Sequence, residues 1–218
     1  MSNLIAEMIC EYRLKTPEII TAFEKIKRSD FLPDGIVESK GKDFIEEYDA
    51  PIGIGLGQTN SQPRVIAFML ELLQPKRGNK VLDVGSGSGW QTALLCNVVD
   101  SKGFVYAIER IQKLKNFGEK NVGKYGFDNV KFICGDGSKG LPDKAPFDRI
   151  IVAASANEIP KALKEQLKIG GRLVIPVRDS IKCNDNIWLL IKKDKDIFEE
   201  KKYENFIFVP LIEEDKNL

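Results

Sequence analysis

Short apolar runs alternate with segments of helical spacing over residues 80–167. The apolar runs predict strands, and the segments between them predict helices. The predicted strands are residues 80–84, 104–108, 130–134 and 149–153, and the predicted helices are residues 90–99, a polar segment ending near Tyr125, and residues 159–167. Alternation of this kind is typical of a parallel sheet covered on both faces by helices. We therefore predict an α/β fold with a doubly wound, mostly parallel sheet.

The residues before this core carry the pattern of a helical cap. Ile19, Phe23 and Ile26 are spaced to share one apolar helix face, and a loop-like stretch with one proline and two glycines follows at 33–41. A further helix is predicted to begin around Pro63, because proline early in the first turn is typical of a helix start. The N-terminal part therefore predicts a helical cap on the core.

The residues after the core predict additional strands. They are residues 172–177, 187–191 and 206–211. Gly170-Gly171 is expected to end a helix, residues 184–186 to form a turn, and the lysine-rich stretch 192–202 to form a solvated hairpin or loop. We expect one domain, in which residues 1–62 form the cap with a loop and residues 63–218 form the core with its C-terminal strands.

A glycine-rich turn joins the first predicted strand of the core to the first predicted helix. Its sequence is Gly85-Ser86-Gly87-Ser88-Gly89, and glycines at these positions let the backbone turn sharply and approach a ligand. Glu109 ends the next predicted strand, where its carboxylate is placed to accept hydrogen bonds from ribose hydroxyls. The pattern predicts a pocket for a nucleoside cofactor.

The spacing of the glycines distinguishes between cofactors. A dinucleotide site has the form Gly-x-Gly-x-x-Gly, whereas Trp90 occupies the sixth position of this motif. The form Gly-x-Gly-x-Gly is associated with S-adenosylmethionine, which carries no pyrophosphate. Taken alone, the glycines are also compatible with an ordinary turn between strand and helix, and the carboxylate at Glu109 favours the cofactor pocket.

Charge and histidine content limit the function classes. The chain of 218 residues carries 33 basic and 32 acidic side chains, so its net charge gives no electrostatic case for a nucleic-acid partner. Histidine is absent, which removes the usual general base and the commonest metal ligand. We expect no metal site.

Cysteine placement and hydropathy bear on the compartment. Four cysteines lie far apart in or beside apolar segments, which predicts buried thiols in a reducing compartment: Cys10, Cys96, Cys134 and Cys183. No apolar stretch approaches the ~18 residues of a membrane span, and Glu7 and Glu11 interrupt any signal-peptide core. We expect a cytoplasmic protein without a membrane partner.

Two further loops follow predicted strands, where ligands of open α/β sheets bind. Asp136 lies between two glycines and is a candidate acceptor for an exocyclic adenine amine, although Gly-Asp-Gly is also a common turn. Residues 153–156 have side chains small enough to leave space for reacting groups.

A further block lies upstream of the glycine-rich turn, at residues 54–63, with the sequence Ile-Gly-Leu-Gly-Gln-Thr-Asn-Ser-Gln-Pro. It is similar to the block Gly-Gln-Thr-Ile-Ser-Gln-Pro of the protein-L-isoaspartate O-methyltransferases, which the chain resembles from about Asp49 to Leu211. Further matches lie at residues 108–111, 135–137, 145–148, 158–160, 170–176 and 208–211. The family methylates the free α-carboxylate of L-isoaspartyl residues in damaged proteins and peptides, and its fold is a Rossmann-like methyltransferase sheet.

The resemblance implies roles for individual residues. Ser61 corresponds to the active-site serine of the family, with Gln58 and Thr59 in the same substrate loop, and Ser61 is also a candidate helix N-cap. The residues implied to hold S-adenosylmethionine, and its product S-adenosylhomocysteine, are Asp83, Gly85, Ser86, Gly87, Ser88, Gly89, Glu109, Arg110, Asp136 and Gly137. A substrate carboxylate is already ionised at neutral pH, so its methylation requires no general base.

Several positions depart from the usual family pattern. Asn60 replaces isoleucine and Ile207 replaces a frequent arginine, and both departures bear on acceptor recognition; Trp90, Gly53 and Arg178 also differ. We therefore consider two alternatives to an enzyme that repairs isoaspartyl residues. One is a related carboxyl methyltransferase with a dedicated peptide substrate, and the other is a non-catalytic module that binds S-adenosylmethionine. We expect a monomer.

Overall fold

A computed structural model describes residues 2–212, and its N-terminal part consists of short helices. They are α1 (Asn3–Cys10), α2 (Pro17–Lys25), a 3-10 turn (Arg28–Phe31), α3 (Asp34–Lys40) and α4 (Lys42–Glu47). The loop predicted at 33–41 is wrong. Pro33 instead precedes the first turn of α3, and Gly41, with φ of +80°, ends that helix.

Two β-sheets follow. The first is a hairpin of β1 (Ile52–Gly55) and β2 (Gln58–Asn60). The second contains β3 (Lys80–Val84), β4 (Phe104–Glu109), β5 (Val130–Cys134), β6 (Phe147–Val152), β7 (Leu167–Asp179), β8 (Asn184–Asp194) and β9 (Ile197–Phe206). Its strand order is β5-β4-β3-β6-β7-β8-β9, with parallel pairing from β5 to β7 and antiparallel pairing of β8 and β9. The predicted α/β fold with a mostly parallel sheet is confirmed.

Four helices connect the strands. They are α5 (Pro63–Leu73), α6 (Trp90–Val99), α7 (Gln112–Gly123) and α8 (Lys161–Glu165). Helix α6 is buried on nearly every side, because it lies between the sheet and the N-terminal helices. Its first residue, Trp90, meets Phe23 of α2 edge to face, with ring centroids 5.7 Å apart.

Alternate residues of the interior strand β3 pack on opposite faces of the sheet, as the period of a strand requires. Val81 belongs to a large apolar cluster that also contains Met8 of α1 and Ile19 of α2. Leu82 and Val84 belong to a second cluster on the other face. The N-terminal helices therefore share one core with the sheet.

The C-terminal strands differ from the prediction in their boundaries. Gly170-Gly171 does not end a helix but lies inside β7, where a Cβ on Gly171 would lie 2.7 Å from the carbonyl oxygen of Lys168. The turn predicted at 184–186 is also wrong, since these residues begin β8 and the preceding turn lies at 180–183. Arg178 lies in β7, so its position requires no positive φ.

The predicted strand at 206–211 is largely misplaced. Strand β9 ends at Phe206, and the described residues after it, 207–212, contribute only an isolated bridge between Pro210 and Ser155. The lysine-rich stretch 192–202 forms the tip and flanks of the β8–β9 hairpin, as predicted.

The prediction of buried thiols is correct only for Cys96. Cys10, Cys134 and Cys183 are exposed, and all four cysteines are free. Within residues 2–212, no helix combines the length and the apolar character that a membrane crossing requires.

Candidate functional site

A cavity of about 300 Å³ lies at the carboxyl ends of the parallel strands. Its walls come from three parts of the chain. They are the strand ends and following loops (84–88, 108–111, 135, 137 and 153–154), the β2–α5 region (58–62, 65 and 66), and the C-terminal segment (207–212), with Pro51, Trp90 and Gln91. This edge of an open α/β sheet is where ligands bind.

The glycine-rich loop (85–89) turns through three residues with positive φ. The φ angles of Gly85, Gly87 and Gly89 are +81°, +52° and +89°, a region that residues with a Cβ adopt at a cost. A Cβ on Gly89 would also lie 2.8 Å from the carbonyl oxygen of Gly118 in α7. The last glycine therefore serves both the turn and the close packing of the loop against α7.

Glu109 holds the loop from the end of β4. One carboxylate oxygen, Oε2, accepts the N–H of Gly87 at 2.9 Å, and the other, Oε1, accepts the N–H of Ile111 at 2.9 Å. Glu109 is buried and lines the cavity with its neighbour Arg110. Because a carboxylate oxygen accepts more than one hydrogen bond, Glu109 retains acceptor capacity toward a ligand diol.

Asp83 supports the loop from behind the cavity. The side chain is fully buried in β3, and its two oxygens accept hydrogen bonds of 2.6 Å from Gln91 Nε2 and Thr92 Oγ1. Burial raises the pKa of Asp83 to about 6, against the effect of these two hydrogen bonds. Asp83 thus fixes the start of α6 rather than the cavity wall.

Asp136 shapes the loop after β5. Its Oδ1 accepts the N–H of Ser138 at 2.9 Å and the hydroxyl of Ser138 at 2.7 Å, and its Oδ2 lies 3.6 Å from Lys139 Nζ. The flanking Gly135 and Gly137 line the cavity, and a Cβ on Gly137 would collide with Val84. The carboxylate therefore organises a loop whose glycines contact the cavity.

The predicted substrate loop (58–61) also lines the cavity. Gln58 and Thr59 belong to β2, and Ser61 lies between β2 and α5. Together they offer an amide, two hydroxyls and backbone groups to the cavity, without a formal charge. Ser61 is not the N-cap of α5: that position belongs to Gln62, whose side chain makes no capping hydrogen bond.

The donor and acceptor set of the cavity fits S-adenosylmethionine. Within the described residues, Ser86 Oγ and Gln91 Oε1 are buried at the cavity without a hydrogen-bond partner. Glu109 can accept from a ligand diol, and apolar side chains such as Ile108 and Ile66 offer surfaces suited to an adenine ring. Unpaired buried polar atoms are costly, so partners for them are expected from a ligand or from water.

Comparison with known proteins agrees with this geometry. The sequence model of the protein-L-isoaspartate(D-aspartate) O-methyltransferases matches residues 1–216. The chain belongs to this family. Protein-L-isoaspartate O-methyltransferase of Flavobacterium psychrophilum is 43% identical over 217 residues, which cover 100% of this chain and 96% of that protein.

Solved structures of the family share the fold. A protein-L-isoaspartate O-methyltransferase superposes with a TM-score of 0.83 at 30% identity, over 95% of this chain and 65% of its own length. The beta-aspartate methyltransferase of Plasmodium falciparum, solved with S-adenosyl-L-homocysteine, gives a TM-score of 0.82 at 24% identity, over 96% and 97% of the two chains. The predicted family and its Rossmann-like methyltransferase fold are confirmed.

The site contains two features that the sequence pattern did not predict. The C-terminal segment is held over the cavity by Ser155, whose N–H donates to Val209 and whose carbonyl accepts the N–H of Leu211. Asp185 accepts both the Ser155 hydroxyl at 2.6 Å and the N–H of Phe208 at 2.7 Å. The sequence feature that could have indicated this contact is the polar run at residues 184–186, beside the apolar residues of a predicted strand.

The second missed feature is Arg28, which is buried behind the substrate loop. Its guanidinium lies 5.5 Å from the ring of Trp90. Burial lowers its pKa to about 10, while the nearby carboxylates of Glu46 and Asp49 act in the opposite direction, so Arg28 stays charged at neutral pH. The sequence feature that could have indicated this role is an arginine two residues after Ile26, the last residue of the predicted apolar helix face.

Proposed function

We propose that this protein transfers a methyl group from S-adenosylmethionine to the free α-carboxylate of L-isoaspartyl residues in damaged proteins and peptides. Membership of the protein-L-isoaspartate O-methyltransferase family is the observation that carries the proposal. Relatives with this name are 37–44% identical over most of the chain. The cavity adds a substrate loop beside a cofactor loop.

The proposed reaction suits a site without histidine. When bound, S-adenosylmethionine supplies an electrophilic methyl group on a sulfonium. An acceptor carboxylate has an ordinary pKa of about 4 and is ionised at neutral pH, so the protein has no proton to remove from it. Its contribution is to hold the carboxylate and the cofactor in line and to exclude alternative orientations.

The residues divide this work between the two walls of the cavity. The glycine-rich loop, Glu109 and Arg110 are proposed to hold the cofactor, and the loop organised by Asp136 closes around its base. Ser61, Thr59 and Gln58 are proposed to donate hydrogen bonds to the acceptor. A neutral donor set suits an acceptor that must keep its negative charge for the transfer.

We also propose the class of partner, the compartment and the oligomeric state. The balanced charge of 33 basic and 32 acidic residues supports a protein partner rather than a nucleic acid. A cytoplasmic monomer that recognises isoaspartyl groups in many proteins suits a repair function.

The alternative of a dedicated peptide substrate is tested with unrelated acceptors. A set of isoaspartyl peptides with different flanking residues is incubated with the protein and labelled S-adenosylmethionine. We expect base-labile methyl ester on most of the set, with KM values that vary and with turnover retained. Methylation of a single peptide sequence would support the dedicated enzyme instead.

A further inference from the structure

Arg28 binds the backbone on both sides of the β1–β2 hairpin. Nη1 donates to the carbonyl of Tyr48 at 2.6 Å, and Nη2 donates to the carbonyls of Ala50 at 2.7 Å and Ser61 at 3.0 Å. A third, longer bond from Nη2 reaches the carbonyl of Asn60 at 3.2 Å. One side chain, 1% exposed, therefore fixes the entry and the exit of the segment that carries the substrate loop.

Asn60 extends this contact to the cofactor loop. Its Oδ1 accepts the Nε–H of Arg28 at 2.8 Å, and its Nδ2 donates to Ser88 Oγ at 3.1 Å. Asn60 and Ser88 are each 4% exposed. A buried chain of hydrogen bonds thus runs from Arg28 through the amide of Asn60 to the glycine-rich loop.

The cofactor end of this chain is itself held in place. The carbonyl of Ser88 accepts a hydrogen bond of 3.1 Å from Asn121 Nδ2 in α7. Arg28 also contacts the ring of Trp90, the residue that follows the glycine-rich loop. Because these contacts join the substrate loop to the cofactor loop, movement of one loop disturbs the hydrogen bonds that hold the other.

We propose that Arg28 and Asn60 are positioning residues that make the substrate loop and the cofactor loop order together, so that bound cofactor raises the affinity for the acceptor. This inference rests on the proposed function. Neither side chain needs to touch the reacting atoms. Arg28 fixes the position of the Ser61 backbone, and Asn60 links the position of the cofactor loop to that of Arg28. Shared ordering of two sites gives positive coupling between their ligands.

The amide at position 60 has a specific chemical requirement. It accepts from Arg28 and pairs with the hydroxyl of Ser88, which an aliphatic side chain of similar size cannot do. Asn60→Leu would leave the Nε–H of Arg28 and the hydroxyl of Ser88 buried and without these partners. Asn60→Asp retains both bonds, because one carboxylate oxygen accepts from Arg28 and the other accepts the Ser88 hydroxyl proton.

The test measures coupling rather than stability. The affinity for S-adenosylhomocysteine is determined by calorimetry with and without a saturating isoaspartyl peptide, and kcat and KM are measured on the same peptide. In the unmodified protein, we expect the peptide to tighten S-adenosylhomocysteine binding. Asn60→Leu should remove most of this coupling and lower kcat on the order of tenfold, with a smaller change in cofactor affinity alone. Asn60→Asp should restore both.

Wild-type coupling in a folded Asn60→Leu protein would overturn the inference, as would an Asn60→Asp protein impaired as severely as Asn60→Leu. If Asn60→Leu does not fold, Ser88→Ala decides, because it removes one hydroxyl and should also lower the coupling. The proposed function fails separately, if the unmodified protein does not methylate the isoaspartyl peptide.

Discussion

The two walls of the cavity use single residues in different ways. Glu109 accepts one backbone N–H on each of its oxygens and still faces the cavity, so its charge orders the cofactor loop before a ligand arrives. Ser61 presents a hydroxyl on a backbone that Arg28 holds. Cofactor binding and acceptor orientation are therefore expected to be separable by mutation.

Ser61→Ala should mainly change turnover, and Glu109→Gln should mainly change the affinity for the cofactor product. Without its hydroxyl, Ser61→Ala should lower kcat about 10- to 100-fold, with nearly unchanged affinity for S-adenosylhomocysteine, because alignment is lost and the cofactor wall is intact. Glu109→Gln places an N–H against a backbone N–H and should weaken that affinity roughly 10- to 100-fold. Calorimetry and steady-state kinetics measure both.

The exposed Ser180 in the β7–β8 turn provides the matched control, and Ser180→Ala should leave both quantities unchanged. Wild-type turnover in folded Ser61→Ala would remove Ser61 from the chemistry.

At the scale of elements, the glycine-rich loop and α7 fit together through two glycines. A Cβ on Gly89 would approach the carbonyl of Gly118, and a Cβ on Gly118 would lie 2.7 Å from the carbonyl of Gly87. This contact fixes the distance between the loop and the helix that follows Glu109. The shape of the cofactor wall thus depends on the absence of side chains at both positions.

Gly89→Ala should lower the free energy of unfolding by about 3 kcal/mol, because the residue combines positive φ with a steric conflict. It should also weaken the binding of S-adenosylhomocysteine. Gly123→Ala, at the end of the same helix and with open space around its Cβ, is the control and should be neutral or stabilising by up to ~1 kcal/mol. Urea unfolding of both variants measures the difference. Equal stability of the two would contradict the packing argument.

The sequence predicts the elements whose pattern is local. Strand β3 and helix α6 have the predicted limits, because an uninterrupted buried strand and a glycine turn determine them. The prediction fails at residues 184–186, because their polar side chains are typical of a turn. In the structure, Asp185 is buried and accepts hydrogen bonds from residues 23 and 30 positions away in sequence. Arg28 likewise acquires its role only when distant segments meet. Contacts between segments distant in sequence leave no periodic signal.

For the molecule as a whole, the carboxyl group of Asp83 is buried in β3, an interior strand of the sheet. The apolar clusters on the two faces of β3 enclose it, and the N-terminal helices contribute to one of them. A buried acid with a raised pKa binds its proton more tightly in the folded than in the unfolded chain. The stability that this proton contributes is therefore linked to pH.

The unfolded pKa of an aspartate is about 3.9, and the folded pKa of Asp83 is about 6. The contribution of the Asp83 proton to the free energy of unfolding is therefore fully present below about pH 3.9 and is lost as the pH rises through about 6. Asp83→Asn does not titrate, and its amide can donate to Gln91 Oε1, which lacks a partner among the described residues. The free energy of unfolding of Asp83→Asn minus that of the wild type should rise by about 2 kcal/mol between pH 4 and pH 7.

Denaturant unfolding at several pH values measures this difference, in which the titration of all other groups cancels. A difference that stays constant from pH 4 to pH 7 would show that Asp83 titrates normally in the folded protein.

The most direct test of the account uses two peptides of identical composition, one with an L-isoaspartyl residue and one with L-aspartate at the same position. The isoaspartyl linkage runs the backbone through the side chain and leaves the α-carboxylate free, which is the acceptor that the proposed function requires. With labelled S-adenosylmethionine, we expect base-labile methyl ester on the isoaspartyl peptide alone. Equal labelling of both peptides, or of neither, would contradict the assignment of isoaspartyl methylation to this site.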